Sequence, residues 1–320
     1  MILTELLANM LGEGEAVLLR ENEAQITEIR LRSGRPFQLV LLDKTQRMGG
    51  SIEPQLLERI ASRLMDNSLY SRERELQQGY FTTSEGCRVG VCGKTVAANG
   101  KIESFSDIGS LCIRIPRQVH GCAQELVNAV TSDGLKSLLI VSPPGLGKTT
   151  MLRELARALS AKGYNIAIAD DRREIAACDA GVPSMNVGER SDVMDGCPKA
   201  VAIPLLVRAC APDVVIADEI GAERDAVALL DAVRCGVKVI ASAHASSFED
   251  ALQRGSIAPA LMGRAFDYCV LLGPTPGRIQ YLRKCADGVL NHVEGNIAVR
   301  RSAVLCGNRA RTVQCAQKEG

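Results

Sequence analysis

Residues 142–150 read Ser-Pro-Pro-Gly-Leu-Gly-Lys-Thr-Thr and stand between an apolar run and a segment with helical spacing. The apolar run, Ser137 to Val141, is typical of a buried strand. Five apolar residues of the segment that follows recur on one helical face before Gly163 ends it: Met151, Leu152, Leu155, Ala156 and Leu159. A glycine-rich loop that joins a strand to a helix is the setting in which a P-loop, or Walker A element, binds phosphate groups. The sequence therefore predicts a parallel α/β fold with a phosphate-binding loop.

The loop contains the residue types that this chemistry needs. Its backbone amides and the helix N-terminus direct positive dipoles at phosphates, Lys148 is predicted to reach the β and γ phosphates, and Thr149 to coordinate Mg²⁺. The predicted nucleotide-binding residues are Pro144, Gly145, Leu146, Gly147, Lys148, Thr149 and Thr150. Ser142 stands where the usual pattern has its first glycine, and we expect the loop to form in spite of it. The alternative interpretation is a Gly- and Pro-rich turn that precedes a helix by chance.

A second motif is the segment 212–219, in which the apolar run Val214 to Ala217 is followed by two adjacent carboxylates. We predict that Asp218 holds Mg²⁺ through its water shell and that Glu219 polarises the attacking water. Such a strand end by itself usually marks only a turn. Downstream of Lys148, and within the same alternation of strands and helices, it predicts a Walker B element.

Two further predicted strands end in polar side chains: residues 166–169 lead into the acidic box 170–174, and residues 237–241 lead into 242–244. In open parallel sheets, ligands bind beyond the carboxyl ends of the strands. We therefore expect one crevice to contain Lys148, Asp171, Asp218, Glu219 and His244, with Asp171 and His244 as further catalytic candidates. Taken alone, the histidine is as consistent with a core or surface residue, and the acidic box with a solvated helix start.

Length, composition and charge limit the number of domains and the kinds of partner that the chain can have. The chain has 320 residues, 46% of them hydrophobic, which is enough for about two domains with real cores. Its 38 basic and 37 acidic side chains leave a net charge of +1, and the charges of residues 1–118 cancel. No overall field draws the chain onto nucleic acid or an anionic membrane.

Cysteine spacing and hydropathy indicate the compartment. None of the twelve cysteines forms a CxxC pair, and several lie in apolar runs, so we expect reduced thiols without a zinc or redox motif. The first residues have no basic cluster of a secretory signal, and no apolar stretch reaches the ~20 residues of a membrane span. These features predict a soluble cytoplasmic protein.

Three regions follow from the change in pattern along the chain. Residues 1–118 contain short alternating segments such as Ile26 to Arg32 and predict a small α+β domain. Residues 119–285 repeat strand, turn and helix and predict the parallel α/β domain. Residues 286–320 are predicted to be a polar, disordered tail.

The order of the motifs resembles a family of endospore-formation proteins within the type II/IV secretion ATPase superfamily. Besides the P-loop, the matching segments are 28–36, 79–82, 88–93, 170–175, 188–199, 218–221 and 241–244. The resemblance runs from about residue 20 to 285. It departs at Ser142 and Asp171, where the family pattern has glycine and glutamate, and in the tail. The shorter Asp171 side chain puts a catalytic role of the box in doubt and leaves Glu219 as the main candidate carboxylate.

The resemblance implies a RecA-like P-loop ATPase core, a homohexameric ring, and ATP and Mg²⁺ as ligands. It also implies that arginines of the N-terminal domain reach the phosphates, for which Arg114 and Arg117 are the matching residues and Arg190 a further candidate. A guanidinium group there would stabilise charge on the transferring phosphoryl group. The alternative is that these arginines are solvated on the outer face of a strand.

The function that the resemblance implies is a cytoplasmic ring motor that hydrolyses ATP and energises a secretion-like channel during endospore formation. Its partner would be a membrane subunit of that channel, which would hold it at the mother-cell membrane, and no nucleic acid is expected. A RecA-like ATPase that acts on nucleic acid is one alternative, against which stand the neutral charge and the 3% aromatic content. The other alternative is a switch that binds ATP without hydrolysing it, which Ser142 and Asp171 leave open.

Overall fold

The computed structural model of the chain describes residues 2–42, 44–65, 73–98, 101–286 and 289–292. The first part forms an antiparallel sheet from β1 (Ile26–Arg32), β2 (Pro36–Leu41), β3 (Thr45–Ser51), β4 (Tyr80–Thr82), β5 (Arg88–Ala98) and β6 (Lys101–Arg114). The spatial order is β3-β2-β1-β6-β5-β4. Four helices accompany it: α1 (Ile2–Met10), α2 (Glu13–Asn22), α3 (Pro54–Leu64) and the short α4 (Glu73–Leu76).

Burial in this sheet follows the predicted alternation, with one irregularity. In β1 the side chains of Ile29 and Leu31 are fully buried, as expected for alternate residues of a strand with one covered face. Ile26 is also buried because the register of β1 against β2 shifts between Ile26 and Glu28. The same core receives the apolar stripe of α3, which consists of Leu57, Ile60, Ala61 and Leu64.

The second part forms an eight-stranded sheet with helices on both faces. Its strands are β7 (Leu138–Ser142), β8 (Ile166–Asp170), β11 (Ser191–Asp195), β12 (Val214–Ala217), β13 (Lys238–His244), β14 (Tyr268–Leu272), β15 (Ile279–Ala286) and β16 (Val289–His292). Between β8 and β11, two short strands pair with each other, β9 (Cys178–Asp179) and β10 (Val182–Pro183). The spatial order is β11-β8-β12-β13-β7-β14-β15-β16. The first six strands are parallel, β15 pairs antiparallel with β14, and β16 pairs antiparallel with β15.

The helices of this part are α5 (Gln124–Thr131), α6 (Lys148–Ala161), α7 (Lys199–Cys210), α8 (Glu223–Arg234), α9 (Phe248–Gln253) and α10 (Ala258–Met262). The central strand β7 is buried along its whole length, as expected of a strand covered on both faces. Its residues Leu138 and Ile140 face α5 and α6, whereas Leu139 and Val141 face α7 to α10. The predicted fold class, an α/β core preceded by a smaller α+β part, is confirmed.

The ends of some predicted elements differ from those in the structure. Strand β13 is longer than predicted and continues to His244, and the acidic box forms a turn instead of a helix start. The predicted domain boundary near residue 118 falls in the connection between β6 and α5 and stays a prediction. Within the predicted tail, β16 pairs with β15, while residues 293–320 lie outside the described residues. Among the described residues, no helix is both long and apolar enough to cross a bilayer.

Candidate nucleotide-binding site

The loop between β7 and α6 has the backbone that a phosphate-binding loop requires. Gly145 and Gly147 have φ values of 79° and 88°, in the left-handed region that favours glycine. A Cβ on Gly147 would also lie 3.2 Å from the amide nitrogen of Gly277, in the turn between β14 and β15. That amide donates a hydrogen bond of 3.0 Å to the carbonyl of Leu146, so the turn packs directly on the loop.

Lys148 begins α6 and folds its ammonium group back over the loop. Its Nζ donates to the carbonyls of Ser142 and Pro143, both at 3.0 Å, and lies 2.8 Å from Nδ1 of His244. Burial lowers the pKa of this ammonium group, because the charged form has lost hydration. The Ser142 hydroxyl lies 3.2 Å from the same Nζ. The serine that replaces the usual glycine is therefore accommodated as an additional polar neighbour of the lysine.

The register of the strands places Asp218 and His244 at the same edge of the sheet as this lysine. His244 pairs with Ser142 at the ends of β13 and β7, and Ala217 pairs with Ala241, which places Asp218 beside Ser242. The predicted convergence beyond the carboxyl ends of the strands thus follows from the parallel register.

The side-chain oxygens of Thr149 and Asp218 lie next to each other beside the loop. The Thr149 hydroxyl donates to Oδ2 of Asp218 at 2.5 Å. The Ser242 hydroxyl donates to the other carboxylate oxygen, Oδ1, and accepts a 2.9 Å hydrogen bond from the amide of Glu219. Hydroxyl and carboxylate oxygens are the ligands that Mg²⁺ prefers, so the pair fits the magnesium site that the sequence predicts.

Glu219 has a positive φ of 42°, which is uncommon for a residue with a side chain. Its amide is held by Ser242 and by Oδ1 of Asp218 at 2.9 Å, so hydrogen bonds stabilise this conformation. One carboxylate oxygen accepts a hydrogen bond from Arg172, and the other lies 3.8 Å from Nε2 of His244. Arg172 was not among the residues predicted for the site, although its place in the box after β8 puts it at the same edge of the sheet as Glu219.

The acidic box is built around a buried carboxylate. Asp170 is 1% exposed and accepts hydrogen bonds from the amides of Glu174, Ile175 and Ala176. Burial raises its pKa, since the loss of hydration outweighs these hydrogen bonds. The neighbouring Asp171, a predicted catalytic residue, lies 3.2 Å from the ammonium group of the buried Lys199.

The box also joins the two sheets. Arg173 pairs with Glu75 of α4 and, at 2.8 Å, with Asp195 of β11. Glu174 accepts a 2.6 Å hydrogen bond from Arg88 of β5. These contacts connect α4 and β5 of the N-terminal part to residues adjacent to Arg172, and no local pattern in the sequence predicts them.

The three arginines predicted to reach the phosphates make their described contacts elsewhere. Arg114 is 66% exposed with its Nε 3.8 Å from Glu28, and Arg117 donates to the carbonyl of Ala24 at 2.5 Å. Arg190 donates to Asn165 at 3.2 Å. Their phosphate contacts stay predictions.

A family model described as sporulation stage III, protein AA, matches residues 3–286. Stage III sporulation protein AA of Bacillus subtilis (strain 168) is 36% identical over 301 residues, which cover 92% of this chain and 97% of that protein.

Solved structures share the fold at low sequence identity. The X-ray structure of the Legionella pneumophila ATPase DotB matches with a TM-score of 0.55 and 13% identity, over 84% of this chain and 80% of that one. The crystal structure of the pilus retraction motor PilT with bound ADP matches with a TM-score of 0.57 and 15% identity, over 83% of this chain and 80% of that one. The resemblance to secretion ATPases is confirmed as a shared fold, and the chain belongs to the family of stage III sporulation protein AA.

Proposed function

We propose that the chain is an Mg²⁺-dependent ATPase. The observation that carries the proposal is the meeting of the first two residues of α6 with polar residues that end β13 or follow β12. Lys148 contacts His244, Thr149 bonds Asp218, and Glu219 lies beside His244. Phosphoryl transfer requires a cation for the phosphates, a carboxylate that orients the nucleophile, and oxygen ligands for Mg²⁺. Lys148, Glu219 and the Thr149–Asp218 pair supply these groups.

Each residue has a distinct task in this proposal. The loop amides and Lys148 bind the phosphates, and Thr149 and Asp218 hold Mg²⁺, which when bound neutralises charge on the phosphate oxygens. Glu219 accepts a hydrogen bond from the attacking water through the oxygen that Arg172 leaves free. His244 lies between Lys148 and Glu219 and is placed to sense whether phosphate is bound. Asp171, paired with Lys199, has a supporting role in holding the box.

The cellular role that we propose is a motor for a membrane channel assembled during endospore formation. Membership in the sporulation family supports the process, and the fold shared with an ATPase and a pilus retraction motor supports the mechanism. The working form is a homo-oligomer, a hexamer by analogy with secretion ATPases, docked from the mother-cell cytoplasm on a membrane subunit. Residues 1–118 and 119–285 act as two domains that close on the nucleotide. On closure, Arg114 and Arg117 leave Glu28 and Ala24 for the phosphates.

A steady-state ATPase assay on the full chain tests the proposal. Lys148→Ala is expected to abolish Mg²⁺-dependent phosphate release, whereas Lys162→Ala, at the exposed end of the same helix, should leave it unchanged. Molecular mass is measured in parallel, with and without nucleotide, and ring assembly favoured by ATP is expected.

Two outcomes of these assays would support a different function. ATP binding without phosphate release, retained in the presence of membrane partners, would identify an ATP-binding switch. Strong stimulation by single-stranded DNA or RNA would identify an ATPase that acts on nucleic acid.

A further inference from the structure

Two cysteine thiols meet at the base of the hairpin formed by β14 and β15. Sγ of Cys269 lies 3.3 Å from Sγ of Cys285, although the residues are sixteen positions apart in the chain. Both side chains lie on the same face of the sheet, because Cys269 pairs with Arg283 and Cys285 is two residues further along β15. All ten cysteines in the described part of the chain are free thiols.

The two thiols differ in access and in acidity. Cys269 is 1% exposed within the apolar core, whereas Cys285 is only partly buried. The hydrogen bond between the two thiols favours the thiolate of Cys285, so the pKa of Cys285 is lowered and that of the buried Cys269 is raised. A partly exposed cysteine of lowered pKa beside a second thiol is the arrangement expected of a redox-sensing pair.

We propose that Cys269 and Cys285 form a dithiol site that a hydroperoxide oxidises to a reversible disulfide. This inference does not rest on the proposed ATPase activity.

The chemistry balances in two steps. The Cys285 thiolate attacks one peroxide oxygen, so that an S–O bond forms, the O–O bond breaks and hydroxide or alkoxide leaves. The Cys269 sulfur then attacks the sulfenic sulfur of Cys285, the S–S bond forms, and the hydroxyl group leaves as water with the Cys269 proton. For hydrogen peroxide, two thiols lose two electrons and two protons in total, and two water molecules form.

The position of the site gives the disulfide a structural consequence. β14 lies beside the P-loop strand β7, and the turn that joins β14 to β15 donates from Gly277 to the P-loop carbonyl of Leu146. A disulfide at the open end of this hairpin closes a loop that contains the turn. Oxidation therefore constrains the strand pair that supports the phosphate-binding loop.

Peptide mapping of the full chain after exposure to hydrogen peroxide tests the proposal. Remaining thiols are blocked with N-ethylmaleimide under denaturing conditions, and non-reduced digests are analysed by mass spectrometry. The expected product is a Cys269–Cys285 linked peptide, lighter by two hydrogen atoms than the two thiol peptides, which dithiothreitol separates. The link should persist in Cys235→Ser, which removes an exposed thiol, and in the double variant Cys306→Ser/Cys315→Ser.

A trapping experiment identifies the order of the steps. In Cys269→Ser, dimedone should label the sulfenic acid of Cys285 at least several-fold more than in wild type, because the resolving thiol is missing. The proposal is overturned if wild-type Cys285 proceeds to a sulfinic acid while Cys269 still reacts with N-ethylmaleimide. It is equally overturned if Cys285 links to any cysteine other than Cys269. Because wild-type mapping alone decides these outcomes, the test does not depend on whether the variants fold.

Discussion

Arg172 donates a hydrogen bond to Oε2 of Glu219 across the edge of the parallel sheet, and Oε1 of the same carboxylate faces His244 at 3.8 Å. The guanidinium group thus restrains one oxygen and leaves the other directed toward His244, whose Nδ1 contacts the lysine of the P-loop. Arg172 belongs to the box whose next two residues contact α4 and β5 of the N-terminal part. The orientation of the carboxylate is therefore connected to the packing of the two sheets.

Removal of Arg172 is expected to disorder Glu219 without affecting ATP binding. Arg172→Ala should lower kcat about tenfold and leave KM nearly unchanged, since the lost interaction positions a group that acts in the transition state. Arg172→Lys, which keeps the charge, should recover part of the rate. Steady-state kinetics over a range of ATP concentrations measure both constants.

A double-mutant cycle separates positioning from a general structural effect. In the Glu219→Gln background, Arg172→Ala should cause little further loss of kcat, because the group that it positions is already inactive. An equal loss in both backgrounds would refute the positioning role while leaving the ATPase assignment intact.

The hydroxyl of Thr149 should determine the Mg²⁺ concentration that turnover requires. Thr149→Val removes the group that bonds Asp218 at 2.5 Å and is expected to raise the Mg²⁺ concentration for half-maximal turnover about tenfold. Thr149→Ser keeps the hydroxyl and should behave like wild type. Mg²⁺ titration at saturating ATP checks this, and an unchanged requirement in the valine variant would exclude Thr149 as a metal ligand.

Arg153 is a buried arginine of α6 that stabilises the fold. It is 4% exposed and donates to three backbone carbonyls, those of Arg117, Glu174 and Ile175. Arg153→Met leaves one buried and two partly buried acceptors without the donor and should lower the free energy of unfolding by about 3 kcal/mol. Urea denaturation measures the loss. Lys162→Met, at the exposed end of α6, should change stability by less than about 0.5 kcal/mol.

Glu154 should make stability depend on pH in the acid range. Its carboxylate is 3% exposed, and burial alone would raise its pKa. Hydrogen bonds from Arg157 and from the amide of Gly121 outweigh that effect, so the pKa is lowered from 4.5. A carboxylate with a lowered folded-state pKa contributes stability above the unfolded value and loses it as the pH falls through the folded value.

Comparison with Glu154→Gln tests this. The variant should be less stable than wild type by about 2 kcal/mol near neutral pH, and the difference should shrink as the pH falls below 4.5. Urea denaturation at a series of pH values measures it, with Glu58→Gln, at an exposed position of α3, as the control. A difference that stays constant from neutral to acid pH would contradict the assigned ionisation.

The sequence by itself predicted the elements whose signals are local. The glycines before Lys148, the apolar run that ends at Asp218 and the helical stripe of α6 each depend on neighbouring residues. The convergence of their polar ends followed from the rule that parallel strands present ligands at one edge. The partners of the acidic box were not predictable in this way. Arg172, Arg173 and Glu174 are consecutive, yet they contact Glu219, Glu75 and Arg88, which are far apart in the chain.

Tertiary structure decided which side chains meet. Strand β12 lies between β8 and β13, and this order places Arg172 within reach of Glu219 and Ser242 beside Asp218. The same is true of the thiols of Cys269 and Cys285, which only the pairing of β14 with β15 brings together. Hydropathy and turn signals act over a few residues and determine where strands and helices form. The order of strands in a sheet depends on how the whole chain packs, so contacts between distant residues are decided only when the sheet is assembled.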